Sequence, residues 1–345
     1  MQRHIKSILM IPVWIVALVT PAKSFKSNPL IGSSLLNALG LHIARVLLAR
    51  AFVWFRWFVL SPLMPTNERK QFHRNGFVVV EEFLSEDQLK AIRTETKGHH
   101  GETRQMLQGD TATQRFLLTE SNLEGKPTLS SLANNGKLLG RLRYGAASLM
   151  PPLLYIQRIR NGHQGGGADP QKNMHSDTFH PTMKAWLFLE DVSAANGPFT
   201  YVRGSNRLTT KRLGWEYQRS QSAKANPDGY SEKGSFRADA NDLQAMDLPA
   251  PEGLAVKAGT LVIANTNGFH GRGQAEAGAS RLEFWAYSRP TPFIPLPGFP
   301  FSWISRLQMS VLNWHWRRQD AVAARKNSRA SWHLIPAEEM TDFKP

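Results

Sequence analysis

Short apolar runs bounded by glycine, proline or asparagine recur through the middle of the chain and predict β-strands. A capping box, in which Ser85 is followed three residues later by Gln88, predicts a helix through Leu89 and Ile92. Regular strand-helix alternation and internal repeats are both missing from the sequence. A mainly β fold with flanking helices, a sandwich or jelly roll, is therefore favoured over a doubly wound sheet. The predicted strands cover residues 76–80, 153–159, 184–189, 199–202, 260–264 and 281–287.

The first apolar segment of the chain covers residues 8–19 and follows the basic residues Arg3 and Lys6. A membrane-spanning helix needs about 18 or more such residues, so this run is too short to span without help from its neighbours. Its pattern also fits a cleaved export signal, although no small-x-small cleavage site follows Val19. An acid-free leader that contains arginine is also typical of a mitochondrial transit peptide, which is kept as an alternative.

The second apolar segment, residues 41–60, is rich in tryptophan and phenylalanine but contains three arginines. Each arginine near a bilayer centre costs about 2.5–3.5 kcal/mol, which argues against a spanning helix. At about 100° per residue, His42, Arg45 and Arg56 share one sector, with Arg50 outside it. We therefore expect an interfacial helix in the headgroup layer, attracted by anionic lipid. The alternative is a helix packed on the protein's own core.

Charge distinguishes the flanks from the middle of the chain. The formal net charge is +15, yet residues 1–67 carry seven basic side chains and no acidic one, and residues 296–345 carry seven basic and four acidic ones. The middle is only mildly basic and no recognised nucleic-acid motif is present, so nucleic acid is not an expected partner. The chain has no cysteine, which excludes disulfides, thiolate metal sites and thiol catalysis.

Composition suggests three regions. Residues 1–64 form a basic, apolar segment that associates with a membrane, residues 65–295 form the main domain, and residues 296–345 form a basic aromatic extension. Residues 204–253 are polar and long for a loop in a compact domain, so we expect a lid-like insertion there.

The candidate chemistry begins with His175 and Asp177, because side chains at i and i+2 of a strand project from the same face. His270 follows the predicted strand at 260–264, and Arg281 opens the next strand eleven residues later. In an antiparallel pair His270 completes a set of two imidazoles and one carboxylate. Such a facial triad is typical of Fe(II) oxygenases that bind a 2-oxo acid, and a guanidinium such as that of Arg281 suits the distal carboxylate.

Three further residues are weaker candidates for the same cavity. Gln157 points inward by alternation along its strand, and Lys184 begins the strand after the ligand pair. Both are predicted to contact the co-substrate. His180 follows Asp177 by three residues and is a candidate substrate contact or a support for the ligands, although most loop histidines are solvated.

The sequence resembles the phytanoyl-CoA dioxygenase family of Fe(II)/2-oxoglutarate oxygenases over about residues 68–292. The resemblance rests on the residues just named, on NGFVVVEEFLS at 75–85 and on GPFTYVRGS at 197–205. It implies a double-stranded β-helix (cupin-like jelly roll). It also implies iron ligands at His175, Asp177 and His270, with Arg281 as the arginine that binds 2-oxoglutarate. The chain departs from the family pattern at Arg203, Asn206 and Arg272.

The resemblance implies a dioxygenase that uses Fe(II), 2-oxoglutarate and dioxygen to hydroxylate a C–H bond. In halogenating relatives a small residue replaces the carboxylate, so Asp177 favours hydroxylation. We expect a small-molecule or lipid-linked substrate, lipid or acyl, at an anionic membrane surface facing the cytoplasm. A non-catalytic membrane-associated binding module on the same fold is the alternative. The pattern leaves open the exact substrate, the fate of residues 1–25, the oligomeric state and the role of the insertion.

Overall fold

The computed structural model describes residues 2–163, 167–225 and 228–341, with side chains placed for residues 10–340 of these ranges. Residue 1 of the predicted leader, residues 226–227 of the predicted insertion and residues 342–345 of the predicted extension lie outside the described residues. Helices and strands alternate irregularly along the chain, as the sequence pattern predicts.

The helices are α1 (Gln2–Ala17), α2 (Ser34–Ala38), α3 (Leu41–Val59), α4 (Thr66–Asn75), α5 (Glu86–Lys97), α6 (Glu120–Leu123), α7 (Pro127–Ala133), α8 (Gly136–Ala146), α9 (Thr210–Ser222), α10 (Ala240–Ala245), α11 (Ser302–Arg325) and α12 (Ala337–Thr341). The strands are β1 (Phe77–Val80), β2 (Thr103–Gln108), β3 (Thr111–Leu117), β4 (Leu153–Asn161), β5 (Met183–Phe188), β6 (Phe199–Tyr201), β7 (Glu252–Gly253), β8 (Leu261–Asn265), β9 (His270–Arg272), β10 (Ser280–Ser288) and β11 (His333–Ile335).

Two antiparallel sheets face each other. The large sheet has the order β1-β8-β5-β10-β4-β3-β2-β11, and the small sheet has the order β7-β6-β9. An isolated bridge between His175 and His270 adds the segment around His175 beside β9. Trp186 of β5 and Phe199 of β6 pack against each other with ring centroids 4.1 Å apart, which joins the two inner faces. Strands β8, β5, β10 and β4 with this small sheet form a double-stranded β-helix, so the predicted fold class is confirmed.

Every predicted strand coincides with an observed one, and the capping box at Ser85 opens α5 as predicted. The strands that the apolar pattern missed include β2 and β3. Their sequences are polar because side chains of both strands, among them Gln108, Thr113 and Arg115, line a cavity between the sheets. A strand that faces a polar cavity lacks the alternation on which the strand prediction depends.

The main hydrophobic core lies on the other face of the large sheet, beneath α4, α5, α7 and α8. Leu89 and Ile92 of α5 and Leu138 and Leu142 of α8 are almost fully buried there. Helices cover this face, so the opposite face of the central strands is left for the small sheet and the cavity. The layering thus places polar chemistry on one side of a sheet whose other side is apolar.

Helix α3 packs on the protein through its basic side. Arg45 donates hydrogen bonds to the carbonyl oxygens of Leu18 (2.8 Å) and Thr20 (3.2 Å), and Arg56 donates to that of Thr291 (3.0 Å). These arginines face the protein and are not available to lipid headgroups, so the expected attraction of this sector to anionic lipid is wrong. The outward side of the helix is instead apolar, with exposed Leu47, Leu48, Trp54, Phe55, Phe58 and Val59.

Within the described residues, none of the helices combines the length and the apolar character needed to cross a bilayer.

Residues 204–253 contain α9 and α10 and contribute to a second hydrophobic core. Trp215 and Phe236 from this stretch pack in one cluster with Phe25 and Ile31 of the N-terminal segment. Contacts therefore cross the predicted boundary at residue 65, and the lid role of the insertion stays a prediction.

The C-terminal extension also packs on the main domain. Strand β11 pairs with β2, and Trp316 of α11 is buried against Leu117 and Tyr155. Arg104 joins the two parts, since its guanidinium lies 2.9 Å from the Asp320 carboxylate and 4.8 Å from the Trp316 ring centroid. The extension adds a strand to the large sheet and one wall to the cavity described next.

Candidate active site

The triad is assembled by backbone pairing at the edge of the small sheet. The amide nitrogens of His175 and His270 each donate to the other residue's carbonyl oxygen, both at 2.9 Å. The amide of Asp177 donates to the Thr266 carbonyl oxygen at 2.9 Å, which holds this residue against the segment that precedes β9. These backbone bonds bring the side chains of His175, Asp177 and His270 together at one place.

The three side chains leave their ligand atoms free. The Nδ1 atom of His175 donates to the Asn173 carbonyl oxygen (2.8 Å) and that of His270 to the Gly268 carbonyl oxygen (3.0 Å). Each Nε2 lone pair is thereby directed inward, 3.7 Å (His175) and 3.6 Å (His270) from Oδ1 of Asp177. One donor atom from each residue lies within 4.8 Å of the others, a spacing that fits a single metal ion.

Electrostatics favours the metal-binding protonation states. Burial lowers the pKa of His270 to about 4, and burial with the nearby His270 and Arg237 holds the pKa of His175 well below its usual range. Burial would raise the pKa of Asp177, but the positive charge of Lys184 and the two histidines outweigh it and lower that pKa strongly. Neutral imidazoles and an ionised carboxylate are the forms that bind a divalent metal.

Two lysines hold the triad aspartate. Lys184 Nζ lies 2.7 Å from Oδ2 of Asp177, the carboxylate oxygen that does not face the histidines. Lys23 of the N-terminal segment donates to the backbone carbonyl oxygen of Asp177. The acidic partner of Lys184 is thus Asp177 of the triad. The predicted contact between Lys184 and the co-substrate stays a prediction. Nothing in the sequence pattern pointed to Lys23.

Arg281 is held by a buried network on neighbouring strands. Its Nε donates to Oε2 of Glu283 (3.0 Å), and Gln157 Nε2 donates to Oε1 of the same carboxylate (2.6 Å). Arg281 is 4% exposed, and its buried Nη1 has no hydrogen-bond partner in the described structure. The guanidinium therefore offers a free donor to a ligand. Gln157 contacts Glu283, so the structure gives it a place beside Arg281.

These side chains line one cavity of about 380 Å³ between the two sheets. Among the charged residues of its lining that the structure describes, positive side chains predominate and Asp177 is the one acid. Sequence reasoning missed Lys23, Arg115, Arg289 and Trp332, which come from four distant segments. The alternation of Arg281, Glu283, Trp285 and Tyr287 along β10 is the signal that could have indicated part of this wall. The positive residues are Lys23, Arg115, Lys184, Arg272, Arg281 and Arg289.

The other candidates have structural partners. Arg272, where the sequence departs from the family pattern, lines the cavity and pairs with the buried Asp169 at 2.6 Å, and burial lowers its pKa to about 10. His180 is fully buried, with Nδ1 directed at the Pro181 carbonyl oxygen (3.1 Å), and it is not among the residues that line the cavity. Its predicted contact with substrate has no support from this placement.

The residues present fit iron and 2-oxoglutarate. His270 Nε2 is buried without a hydrogen-bond partner in the described structure, as expected of a metal ligand. Arg281 Nη1 is also buried without a partner there, as expected of a donor that binds a ligand carboxylate. Two imidazoles and one carboxylate, with no thiolate, are the ligand set of mononuclear non-heme Fe(II) oxygenases. Fold and site together define this class of protein.

The comparison with protein families agrees with this class. The model of the family described as phytanoyl-CoA dioxygenase (PhyH) matches residues 72–282. The chain therefore belongs to the phytanoyl-CoA dioxygenase family of Fe(II)/2-oxoglutarate-dependent oxygenases, and the resemblance noted from its motifs is confirmed.

Individual relatives are more distant. Ectoine dioxygenase of Halomonas elongata is 28% identical over 222 residues, which cover 58% of this chain and 62% of that protein. The chain thus spans less than two thirds of this relative's length. The α-ketoglutarate-dependent epimerase SnoN of nogalamycin biosynthesis is 20% identical with a TM-score of 0.44, covering 66% of this chain and 82% of that one. HygX of Streptomyces hygroscopicus, solved with nickel and 2-oxoglutarate, is 17% identical with a TM-score of 0.41, covering 65% and 86%.

Proposed function

We propose that the protein is an Fe(II)- and 2-oxoglutarate-dependent dioxygenase that hydroxylates a C–H bond of a lipid, acyl or other small organic substrate at a membrane surface. The observation that carries the proposal is the triad of His175, Asp177 and His270, with its donor atoms within 4.8 Å, in the same cavity as Arg281. Family membership supports the same chemistry.

Each part of the cavity has a role in this proposal. Iron is held by Nε2 of both histidines and Oδ1 of Asp177, while Lys184 keeps Oδ2 occupied and so orients the carboxylate. Arg281, fixed through Nε by Glu283, binds the distal carboxylate of 2-oxoglutarate. Bound iron and 2-oxoglutarate supply the oxygen activation and the oxidation of the C–H bond. The surrounding side chains position that bond and exclude water.

The charge of the cavity indicates an anionic substrate. Arg281 is assigned to 2-oxoglutarate and Arg272 is paired with Asp169, which leaves Lys23, Arg115 and Arg289 facing the cavity. Burial, with the neighbouring Arg289, lowers the pKa of Lys23 to about 8, as expected where positive charges accumulate. A substrate that carries a carboxylate or phosphate group would relieve this repulsion.

Surface apolarity supports action at a membrane. Trp54, Phe55 and Phe58 on α3 are 57%, 49% and 76% exposed, and Trp303 and Trp314 on α11 are 56% and 61% exposed. Exposed aromatic side chains grouped on one helix are typical of membrane or protein contact surfaces. Peripheral or monotopic attachment follows, with the catalytic cavity on the cytoplasmic side, where 2-oxoglutarate is supplied.

Conversion of 2-oxoglutarate in the absence of the organic substrate tests the proposal. Protein loaded with Fe(II) in air should convert 2-oxoglutarate to succinate, and Asp177→Ala should abolish this because the metal loses its only carboxylate ligand. The matched control is Asp191→Ala, which changes an exposed aspartate paired with Lys257. Succinate production that survives in Asp177→Ala would contradict the ligand assignment. Absence of succinate from folded wild-type protein that still binds iron would instead indicate the non-catalytic binding module.

A further inference from the structure

The cavity that contains the triad is lined by several lysine and arginine side chains and is called the cationic cavity. A second, larger cavity lies beside it. It has a volume of about 850 Å³ and runs between α11 and the segment at 290–298. We call it the apolar groove. A larger share of its wall is hydrocarbon than in the cationic cavity. The apolar lining includes Met150, Leu153, Ile294, Leu296, Leu307 and Val311.

The apolar groove and the cationic cavity share a wall. Tyr287 and Arg289 line both of them, at the end of the β10 row that begins with Arg281. Tyr287 pairs in register with Lys184 of β5, and Lys184 contacts Asp177. Paired residues of adjacent antiparallel strands have Cα atoms about 4.5–5.5 Å apart. Lys184 therefore lies between the shared wall and the triad.

The apolar groove opens toward the surface. Leu307, Val311 and Trp314 line it and are 56%, 56% and 61% exposed, on the same stretch of α11 that supplies the apolar surface. Residues 290–315, which form most of it, lie beyond the family match at 72–282. Most of the groove is thus built by residues outside the matched region, although Met150 and Leu153 of its wall lie inside it. Volumes of 300–1,000 Å³ are typical of small-ligand sites.

We propose that the apolar groove binds the hydrocarbon chain of an anionic single-chain amphiphile, whose charged head enters the cationic cavity past Tyr287 and Arg289. The proposal rests on the proposed function, because it names the substrate class of that active site. Charge determines the orientation of the ligand, because the cationic cavity binds the charged head and the apolar groove binds the hydrocarbon tail. The carbon atoms closest to the triad are then those near the charged end.

Measuring ligand affinity on the metal-free protein tests this proposal independently of catalysis. Octanoate, decanoate and dodecanoate, kept below micelle formation, are titrated calorimetrically into the metal-free full chain. Each added methylene should raise affinity about fourfold if the tail is buried. Dodecanol should bind more weakly than dodecanoate, and Arg289→Gln should reduce that difference. Affinity that does not depend on chain length would overturn the proposal.

A matched pair of substitutions locates the tail. Val311→Trp places a large side chain in the apolar groove and should lower dodecanoate affinity at least tenfold, whereas Val322→Trp, on the same helix and not among the groove residues, should leave it unchanged. Equal effects of the two substitutions would contradict the assignment. So would a dimer that Val311→Trp dissociates, which would make the groove an interface between two copies. Because binding is measured without metal, failure of the succinate assay leaves this test intact.

Discussion

Arg281→Met removes the guanidinium that pairs with Glu283 at 3.0 Å. Glu283 has no exposed surface, and among the described residues Gln157, at 2.6 Å, is the hydrogen-bond partner that would remain. Leaving one member of a buried ion pair alone costs about 3–5 kcal/mol in the free energy of unfolding. The same change removes a charge-assisted contact to 2-oxoglutarate worth about 1.5–3 kcal/mol, which corresponds to about a 10- to 150-fold rise in its Kd.

A double variant separates these two effects. In Arg281→Met/Glu283→Gln the buried charge is gone, and Gln157 can turn its amide oxygen toward the new amide, so stability measured by urea unfolding should largely return. The Kd of 2-oxoglutarate, measured by anaerobic titration of iron-loaded protein, should stay high. Arg281→Lys, which keeps the charge without the planar fork, should be intermediate. Recovery of 2-oxoglutarate affinity together with stability would show that Arg281 acts only through folding.

Three other predictions concern the membrane surface, acid stability and the N-terminal segment. Phe58→Glu removes a side chain that is 76% exposed. Insertion of this side chain into a bilayer would contribute about 1–2 kcal/mol to the binding free energy, so affinity for lipid vesicles should fall about 5- to 30-fold. Leu334→Glu, at a residue 55% exposed on β11, is the control, and equal losses would exclude α3 as the contact. Burial lowers the pKa of His99 to about 4, so the unfolded chain binds more protons below pH 6.5 and stability should fall as pH drops from 6.5 toward 4. His99→Phe, which retains the stack on Phe116, should weaken that dependence in urea unfolding at pH 7 and 5, and an unchanged dependence would refute the assignment. Phe25→Ala should lower the free energy of unfolding by about 3–5 kcal/mol because this side chain is 2% exposed, whereas a cleaved leader would show no loss.

The outcome at α3 shows where sequence periodicity stops being informative. The pattern correctly groups His42, Arg45 and Arg56 on one side of the helix, and the structure buries that side. Periodicity defines two faces but cannot say which one meets the protein, because the answer depends on partners far away in the sequence. For Arg45 these partners are the carbonyl oxygens at residues 18 to 22, and for His42 the partner is Glu216 at 2.8 Å.

The sequence alone was sufficient for the residues whose chemistry is local. Apolar runs indicated six strands, and the spacing of His175 from Asp177 and of His270 from Arg281 selected the side chains that the structure brings into one cavity. Tertiary structure decided what surrounds them. Lys23 and Trp332 reach the cavity from the two flanks, Arg115 from β3 and Arg289 from the segment after β10. The apolar groove exists only because α11 folds back over the end of β10. Short-range order follows from backbone periodicity, whereas the charge and shape of a cavity are sums over segments that only the folded chain brings together.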